Sequence, residues 1–326
     1  MLLGSAFLVL GFACAVILAL GEFGRVYETL DSLNFVKPYV AAVGFVAALV
    51  SFYRCGGMRR RRWRSGLAIC SMGLCGLAYV EMAKRAVWDA PQAAQNCEPL
   101  LKVMEFNAWN ANPDVAGAAA FILASKADII VVEEALGHPP IAALVKSAYP
   151  YQQSCEGQGC STMILSRQAP TASGGLAQGD SENRGALSAA WMRIATPNGP
   201  FTIVGVHLGR PWPWPRFRQD RALLRRYVAS LDPGSTIVTG DFNLPSWTFQ
   251  MHNLQAGLPS LRSVGVIRTW PGIVGSVTST VPVVDLDHMY VGGQWRIMDA
   301  RRGPFLGSDH YPIIANLQMC RSIRIM

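Results

Sequence analysis

Charge is scarce in this sequence. Asp, Glu, Lys and Arg make up 15% of its residues, against roughly 25% in ordinary soluble domains, and the shortage is concentrated at one end. Leu2–Gly21 has no charged side chain; nor does Tyr39–Tyr53, which Leu33–Val36 extends across Lys37. A third uncharged run, Ser65–Val80, stops at Glu81. Three such runs in succession exclude a wholly water-soluble N-terminus. The first has the ~20 residues that a helix needs to cross a bilayer. The other two are shorter and need Lys37, Arg64 or Lys84 to snorkel at their ends. We read all three as transmembrane helices.

Other absences narrow the reading further. No Lys or Arg precedes the first apolar run, so Ala19-Leu20-Gly21 is a poor signal-peptide cleavage site and an uncleaved span fits better. No Cys/His cluster has zinc spacing. No repeat or low-complexity tract is present. Residues 98–326 carry only +3 of the net charge of +8, too little for a domain built around a polyanion.

Basic residues gather where the spans meet. The segment 54–64 holds six arginines, including Arg59–Arg62, and short loops rich in Arg stay cytoplasmic. Three spans then put everything after about Lys84 on the extracytoplasmic side of the cell (inner) membrane. Of eight cysteines, Cys97, Cys155, Cys160 and Cys320 fall in that exported part, where an oxidising compartment permits two disulfides. Gly157 and Gly159 allow the tight turn that a Cys155–Cys160 bridge needs. Four buried free thiols are the alternative.

The organisation is therefore a membrane anchor over 1–86, a linker over 87–99 with two prolines, one large domain over 100–320 and a tail over 321–326. Strands are expected over Leu100–Phe106, Asp128–Val132, Thr162–Leu165, Leu187–Ile194, Phe201–Val206, Thr236–Thr239, Val283–Val291 and Pro312–Leu317. Helices are expected over Val115–Lys126, Pro139–Tyr149 and Pro215–Ser230. Strands outnumber helices and hairpin-like runs predominate, which argues for a mixed α/β sandwich rather than a doubly wound parallel sheet.

Six of these strands end in polar groups: Asn107, Glu134, His207, Asp241 with Asn243, Asp287, and Asp309 with His310. Their convergence on one rim would supply oxygen ligands for a hard cation and His–carboxylate pairs for acid–base work. Gly240-Asp241-Phe242-Asn243-Leu244-Pro245 is the centre of this set. Asp241 and Asn243 lie two apart, so an extended backbone would point both the same way.

In order, Val103-Met104-Glu105-Phe106-Asn107, Asp128–Glu134, Val204-Gly205-Val206-His207-Leu208, Gly240-Asp241-Phe242-Asn243, Thr269-Trp270-Pro271, Asp287–Val291 and Gly307-Ser308-Asp309-His310-Tyr311-Pro312 resemble the successive motifs of the endonuclease/exonuclease/phosphatase superfamily. The resemblance implies a four-layer α/β sandwich, two packed mixed sheets flanked by helices, behind the three transmembrane helices. It implies a Mg²⁺-dependent phosphodiesterase, with Mn²⁺ as the alternative ion. Glu134, Asn107 and Asp309 would hold the metal, with Glu133 at a position more often Gln. Asp241 would orient or deprotonate the attacking water, and Asn243 would position the phosphate. Asp287 would hold His310, and His207 would stabilise charge or protonate the leaving oxygen. The base is either Asp241 or His310. Residue His288 stands where an aromatic is common. Cys97 and Cys320 flank the first and last strands, whose ends are adjacent in the superfamily fold, so a bridge between them is implied as well.

The substrate is read from the stretch after His207. Arg210, Trp212 and Trp214 stand among prolines, ahead of Arg216, Arg218, Arg221, Arg225 and Arg226. Trp favours the membrane interface and Arg meets anionic headgroups, which points to an amphiphilic or lipid-linked phosphodiester at the bilayer. An extracytoplasmic nuclease could use the same residues for stacking and phosphate contacts on nucleic acid, and simple packing over the first helical turn is the bland alternative. A non-catalytic binding module that keeps the fold would be marked by missing site residues, and none is missing.

Overall fold

The computed structural model describes residues 2–53, 58–84, 97, 99–134, 140–156, 160–176, 187–211, 214–258 and 260–320. Most of the expected linker, the tail, Trp212 and Gly157–Gly159 lie outside these residues, as does the side chain of Trp214. The chain forms two compact units, Met1–Val87 with Pro245–Asn253, and Trp88–Leu244 with Leu254–Met326.

The first unit is helical: α1 (Leu2–Glu22), the single turn α2 (Glu28–Asp31), α3 (Lys37–Tyr53) and α4 (Met58–Lys84). Helices α1, α3 and α4 pack on one another through small residues. Ala41, Gly44, Ala48 and Ser51 of α3 recur at three- and four-residue spacing and are all buried. A Cβ on Gly44 would stand 2.6 Å from Cys14 Cβ, so only Gly allows that approach of α1 and α3. The larger apolar side chains face outward, among them Val9, Phe12, Val46 and Leu77.

Among the described residues two helical segments, not the three expected, are long and apolar enough to cross a membrane, Gly4–Arg25 and Glu28–Tyr53. The expected third span falls in α4, whose uncharged run lies between Arg64 and Glu81. At 1.5 Å per residue such a run spans roughly 24 Å, short of a ~30 Å hydrocarbon core.

Pro245–Asn253 joins this unit through the hairpin between α1 and α3. The Asp31 carboxylate accepts the backbone N–H of Phe249 (3.1 Å) and Gln250 (2.8 Å). The Trp247 indole donates to the Asn34 carbonyl at 2.8 Å, and the Arg25 guanidinium lies 4.8 Å from the centre of the Phe249 ring.

The second unit holds two six-stranded sheets. In chain order the strands are β1 (Leu101–Asn107), β2 (Ile129–Glu133), β3 (Tyr151–Ser154), β4 (Thr162–Ser166), β5 (Ala172–Gly175), β6 (Ser188–Ile194), β7 (Phe201–His207), β8 (Thr236–Asp241), β9 (Arg262–Ser263), β10 (Ile273–Val274), β11 (Val277–Thr278), β12 (Asp287–Val291), β13 (Trp295–Arg302) and β14 (Ile313–Met319). One sheet has the order β13-β14-β1-β2-β4-β3 and the other β5-β6-β7-β8-β12-β9; β10 and β11 form a separate hairpin. Each six-stranded sheet contains one parallel pair, β1/β2 or β7/β8, among antiparallel neighbours. These are two mixed sheets flanked by helices.

Period-two alternation builds the core. Val103, Ile129, Val131 and Ile164 of one sheet meet Ile203, Ile237, Met289 and Val291 of the other. The alternate residues Met104, Phe106, Ile130 and Val132 pack under Ala118, Ala119 and Ile122 of α5 (Val115–Ser125) and Ile141 of α6 (Ile141–Leu144). Asp114 caps α5 through Gly117 N, as its position predicts. The helix expected over Pro139–Tyr149 closes after one turn, α6, because Tyr149 turns inward and bonds the Ala127 carbonyl (2.9 Å). Amphipathic α7 (Trp214–Ala229) buries Phe217 and Leu224, and α8 spans Phe249–Ala256. Disulfides join Cys97 to Cys320 and Cys155 to Cys160.

Candidate active site

The parallel pairs bring four strand ends together. β1, β2, β7 and β8 deliver Asn107, Glu133-Glu134, His207 and Asp241 from their C-terminal ends, and β12, antiparallel to β8, sets Asp287 opposite Asp241. Gly240 makes the approach possible. It has φ +146°, and an added Cβ would collide with the Val206 carbonyl and lie 2.8 Å from Glu133 Oε1.

Asp241 is where the contacts meet. Its Oδ2 accepts Asn107 Nδ2 (3.0 Å) and Asn243 Nδ2 (3.3 Å) and lies 3.6 Å from His207 Nε2. Its Oδ1 accepts the Asn243 backbone N–H at 2.7 Å. That bond corrects the extended reading of this stretch. Asn243 is left-handed, at φ +51°, and an Asx turn rather than strand alternation brings it to Asp241. Its amide also donates to the Leu208 carbonyl (2.9 Å).

Glu134 is likewise turned out of its strand by a positive φ, +54°. Its Oε2 accepts the backbone and side-chain N–H of Asn110 (3.3 and 3.2 Å), while Oε1 lies 3.4 Å from Asn107 Nδ2 and 3.9 Å from His207 Nε2. Asn110 was not among the residues singled out from sequence. Ser161 Oγ, also unanticipated, fixes the His207 ring from its other nitrogen, 2.8 Å from Nδ1. His310 Nδ1 stands 2.8 Å from Asp287 Oδ2, which also accepts the Thr269 hydroxyl. Ser308 bonds the Asn107 carbonyl (2.7 Å) and the His310 N–H (3.0 Å), tying the last motif to the first. Asp309 is half-buried beside them. Arg210 is exposed on the loop after β7. His288, at the position where an aromatic was expected, stacks on Tyr290, meets Phe242 edge-on and bonds the Leu244 carbonyl (2.7 Å).

The electrostatics separate these groups. Burial alone would depress the His310 pKa, but the charge and hydrogen bond of Asp287, with Asp241 and Asp309 nearby, raise it to about 10. Burial opposes ionisation of Asp287 too, yet His310 and Thr269 hold it below the usual carboxylate range. Burial, then the charge of Asp287, pushes Asp241 upward against the pull of His310 and His207. Burial also raises Asp309.

Two further acids lie beneath. Glu105 and Glu133 are fully buried, and Glu105 lies within hydrogen-bond reach of both Glu133 and Asp287. Burial first, then the charges of Asp287, Asp241 and, for Glu105, Glu133, raises both well above the normal range. The signal was in the alternation. Val103, Glu105 and Asn107 share one face of β1, and Ile129, Val131 and Glu133 one face of β2, so both glutamates had to point between the sheets.

Asp241, Asp287 and His310 hold ligand-capable atoms within 4.8 Å of one another. They are nevertheless a poor metal set. His310 and Asp287 already bond each other, and an imidazolium repels a cation. Glu134, Asn107 and Asp309 present side-chain oxygens at the neighbouring strand ends. That chemistry suits a hard divalent cation.

A family model, Endonuclease/Exonuclease/phosphatase family, matches residues 104–310. The chain belongs to the Endonuclease/Exonuclease/phosphatase family. The matched span holds every polar strand-end residue named above, from Asn107 to His310. Solved structures of low identity share the family fold. The endonuclease/exonuclease/phosphatase of Beutenbergia cavernae DSM 12333 is 17% identical, with TM-score 0.54, over 68% of this chain and 72% of that one. An endonuclease/exonuclease/phosphatase family protein of Leptotrichia buccalis C-1013-b is 12% identical, with TM-score 0.54, over 67% and 99%. A beta toxin mutant of Staphylococcus aureus with bound magnesium ions is 15% identical, with TM-score 0.53, over 66% and 98%. No curated protein matches the sequence.

Proposed function

We propose that the chain is a membrane-anchored, divalent-cation-dependent phosphodiesterase acting on an amphiphilic or lipid-linked phosphodiester. The observation that carries the chemistry is the set of contacts at Asp241, a buried carboxylate oriented by two asparagines, facing one histidine and close to a second that is charged. Water attacks phosphorus, so one P–O bond forms and the bond to the leaving oxygen breaks. Asp241 takes the water proton, a role helped by its raised pKa. His310 remains protonated at neutral pH, so it is a donor to phosphate oxygens rather than the base. His207, oriented by Ser161, faces the leaving side and supplies the proton to that oxygen. Asn243 positions the phosphate. Asn107, Glu134 and Asp309 would hold Mg²⁺, with Mn²⁺ as the alternative; a magnesium-bound beta toxin of similar fold supports the ion. When bound, the cation offsets charge on the phosphoryl oxygens.

The anchor rests on the inside-out helical unit. Only 28% and 33% of the two apolar windows are buried, which suits lipid-facing rather than core helices. The side follows from parity. If α1 and α3 cross, the hairpin that holds Asp31 lies opposite both Met1 and the arginines of α4. Pro245–Asn253, bonded to that hairpin, shares its side. The positive-inside bias then makes this side extracytoplasmic, where the two disulfides are at home. A green fluorescent protein fused after Met326 is expected to stay dark while the chain accumulates in membranes; bright fusions would overturn the topology.

Substrate class is tested with the full chain in detergent and Mg²⁺. Phosphatidylglycerol and phosphatidylcholine vesicles, supercoiled plasmid and an aryl phosphodiester are offered at equal phosphodiester concentration. Lipid hydrolysis outpacing plasmid nicking is the expected result. Efficient nicking with intact lipid would establish the nuclease reading instead.

A further inference from the structure

We propose that Asp31, in the hairpin between α1 and α3, is a positioning residue for the turn that carries Asp241 and Asn243. This inference rests on the catalytic reading of that turn.

Helix α8 begins six residues after Asn243, and a helix start leaves its first N–H groups without partners. Thr248 satisfies one locally, accepting Met251 N at 3.2 Å. The two before it, on Phe249 and Gln250, are taken by the two oxygens of Asp31, from more than 200 residues earlier in the chain. Asp31 is itself held. Asn34 Nδ2 donates to it at 2.8 Å and to the Gly21 carbonyl at 2.9 Å. A Cβ on Gly24 would stand 2.7 Å from Asp31 Cα, so the hairpin closes tightly on this residue. Asp31 and Asn34 are each 1% exposed. An aspartate at this depth needs strong donors to remain there, and the α8 amides supply them.

The connection from α8 back to the catalytic turn has little slack. Leu244 is fully buried with its carbonyl bonded to His288 (2.7 Å). Pro245 has a fixed φ, and its carbonyl accepts both the N–H and the hydroxyl of Thr248. Asn243 sits in the left-handed region, fixed there by its N–H bond to Asp241 Oδ1 (2.7 Å). A shift at Phe249 therefore passes along five bonded residues to the amide that orients Asp241. A displacement of about 1 Å at such a group can cost 10²-fold in rate.

The test compares Asp31→Ala, Asp31→Asn and Asp114→Ala in the full chain in detergent, with kcat and KM on an aryl phosphodiester and hydrogen exchange without substrate. Asp114→Ala removes the cap of α5 and touches neither the hairpin nor the connection. Asp31→Ala is expected to lower kcat at least tenfold with KM within about threefold, and to speed exchange from Asp241 through Gln250. Asp31→Asn, which keeps one acceptor, should fall between it and wild type. Asp114→Ala should keep kcat within twofold and speed exchange only at the start of α5. Equal kcat losses in the Asp31→Ala and Asp114→Ala variants, or exchange confined to α8 with kcat intact, would overturn the proposal. Faster exchange through Asn243 in Asp31→Ala, with no phosphodiester hydrolysed by wild type, would instead refute the catalytic reading and leave the coupling standing.

Discussion

Asp241→Ala is expected to slow aryl phosphodiester turnover by a factor on the order of 10³, the scale of losing a positioned proton acceptor. His310→Gln should cost about 10², as a charged donor aimed at phosphate oxygens is replaced by a neutral one. EDTA should abolish turnover in the wild type, and excess Mg²⁺ should restore it. The stability of the two variants separates chemistry from folding. Removing Asp241 relieves crowding among buried carboxylates, so its melting temperature should hold or rise. Removing His310 strands Asp287 as a buried charge, a loss of roughly 3–5 kcal/mol for a broken buried pair, so that variant should melt earlier. Turnover that persists in EDTA would end the metal-dependent reading.

Glu133→Gln is expected to stabilise the fold increasingly as pH rises. Glu133 has a folded pKa raised well above its unfolded value by burial and by the charges of Asp287 and Asp241. The folded state thus binds more protons than the unfolded state, and stability falls as pH rises through the unfolded value of about 4.3. Gln keeps the shape without the charge and can donate to the carboxylates around it. Wild type and variant should melt together near pH 4 and separate by several degrees at pH 8, at about 2–4 °C per kcal/mol recovered. The comparison is made in EDTA. His310 adds a slope common to both proteins. Its pKa is raised to about 10 by Asp287 despite burial, so its stabilisation is full below about 6.5 and is lost as pH rises through about 10. A pH-independent difference between the two proteins would contradict the buried-acid account.

The sequence by itself determined eight of the fourteen described strands, the two-layer β core and the candidate polar residues, and missed β13 and the short β3, β5, β9, β10 and β11. Alternation in Val103–Asn107 and Ile129–Glu133, and the β-branched run before Gly240, are local patterns that burial on one face enforces. The order of the motifs was enough to indicate the family. Less was legible where the partner is distant. Alternation in Val103–Asn107 and Ile129–Glu133 aims Glu105 and Glu133 inward, but only the packing of the two sheets shows them facing Asp287. The Asp241–Asn243 pair depends on an Asx turn and a left-handed residue, which extended periodicity cannot encode. Protonation of His310 required knowing that Asp287 lies 2.8 Å away, because charge on an imidazole is decided by its neighbours in space. The third apolar run resembles its predecessors in composition, but it sits inside a helix that opens on arginines, whereas the second run is extended by the helical residues from Glu28. Nothing in the sequence around Asp31 marks it out. Tertiary structure alone showed that its oxygens complete a helix whose first residues lie more than two hundred positions away, since a cap requires proximity in space and leaves no mark in local sequence.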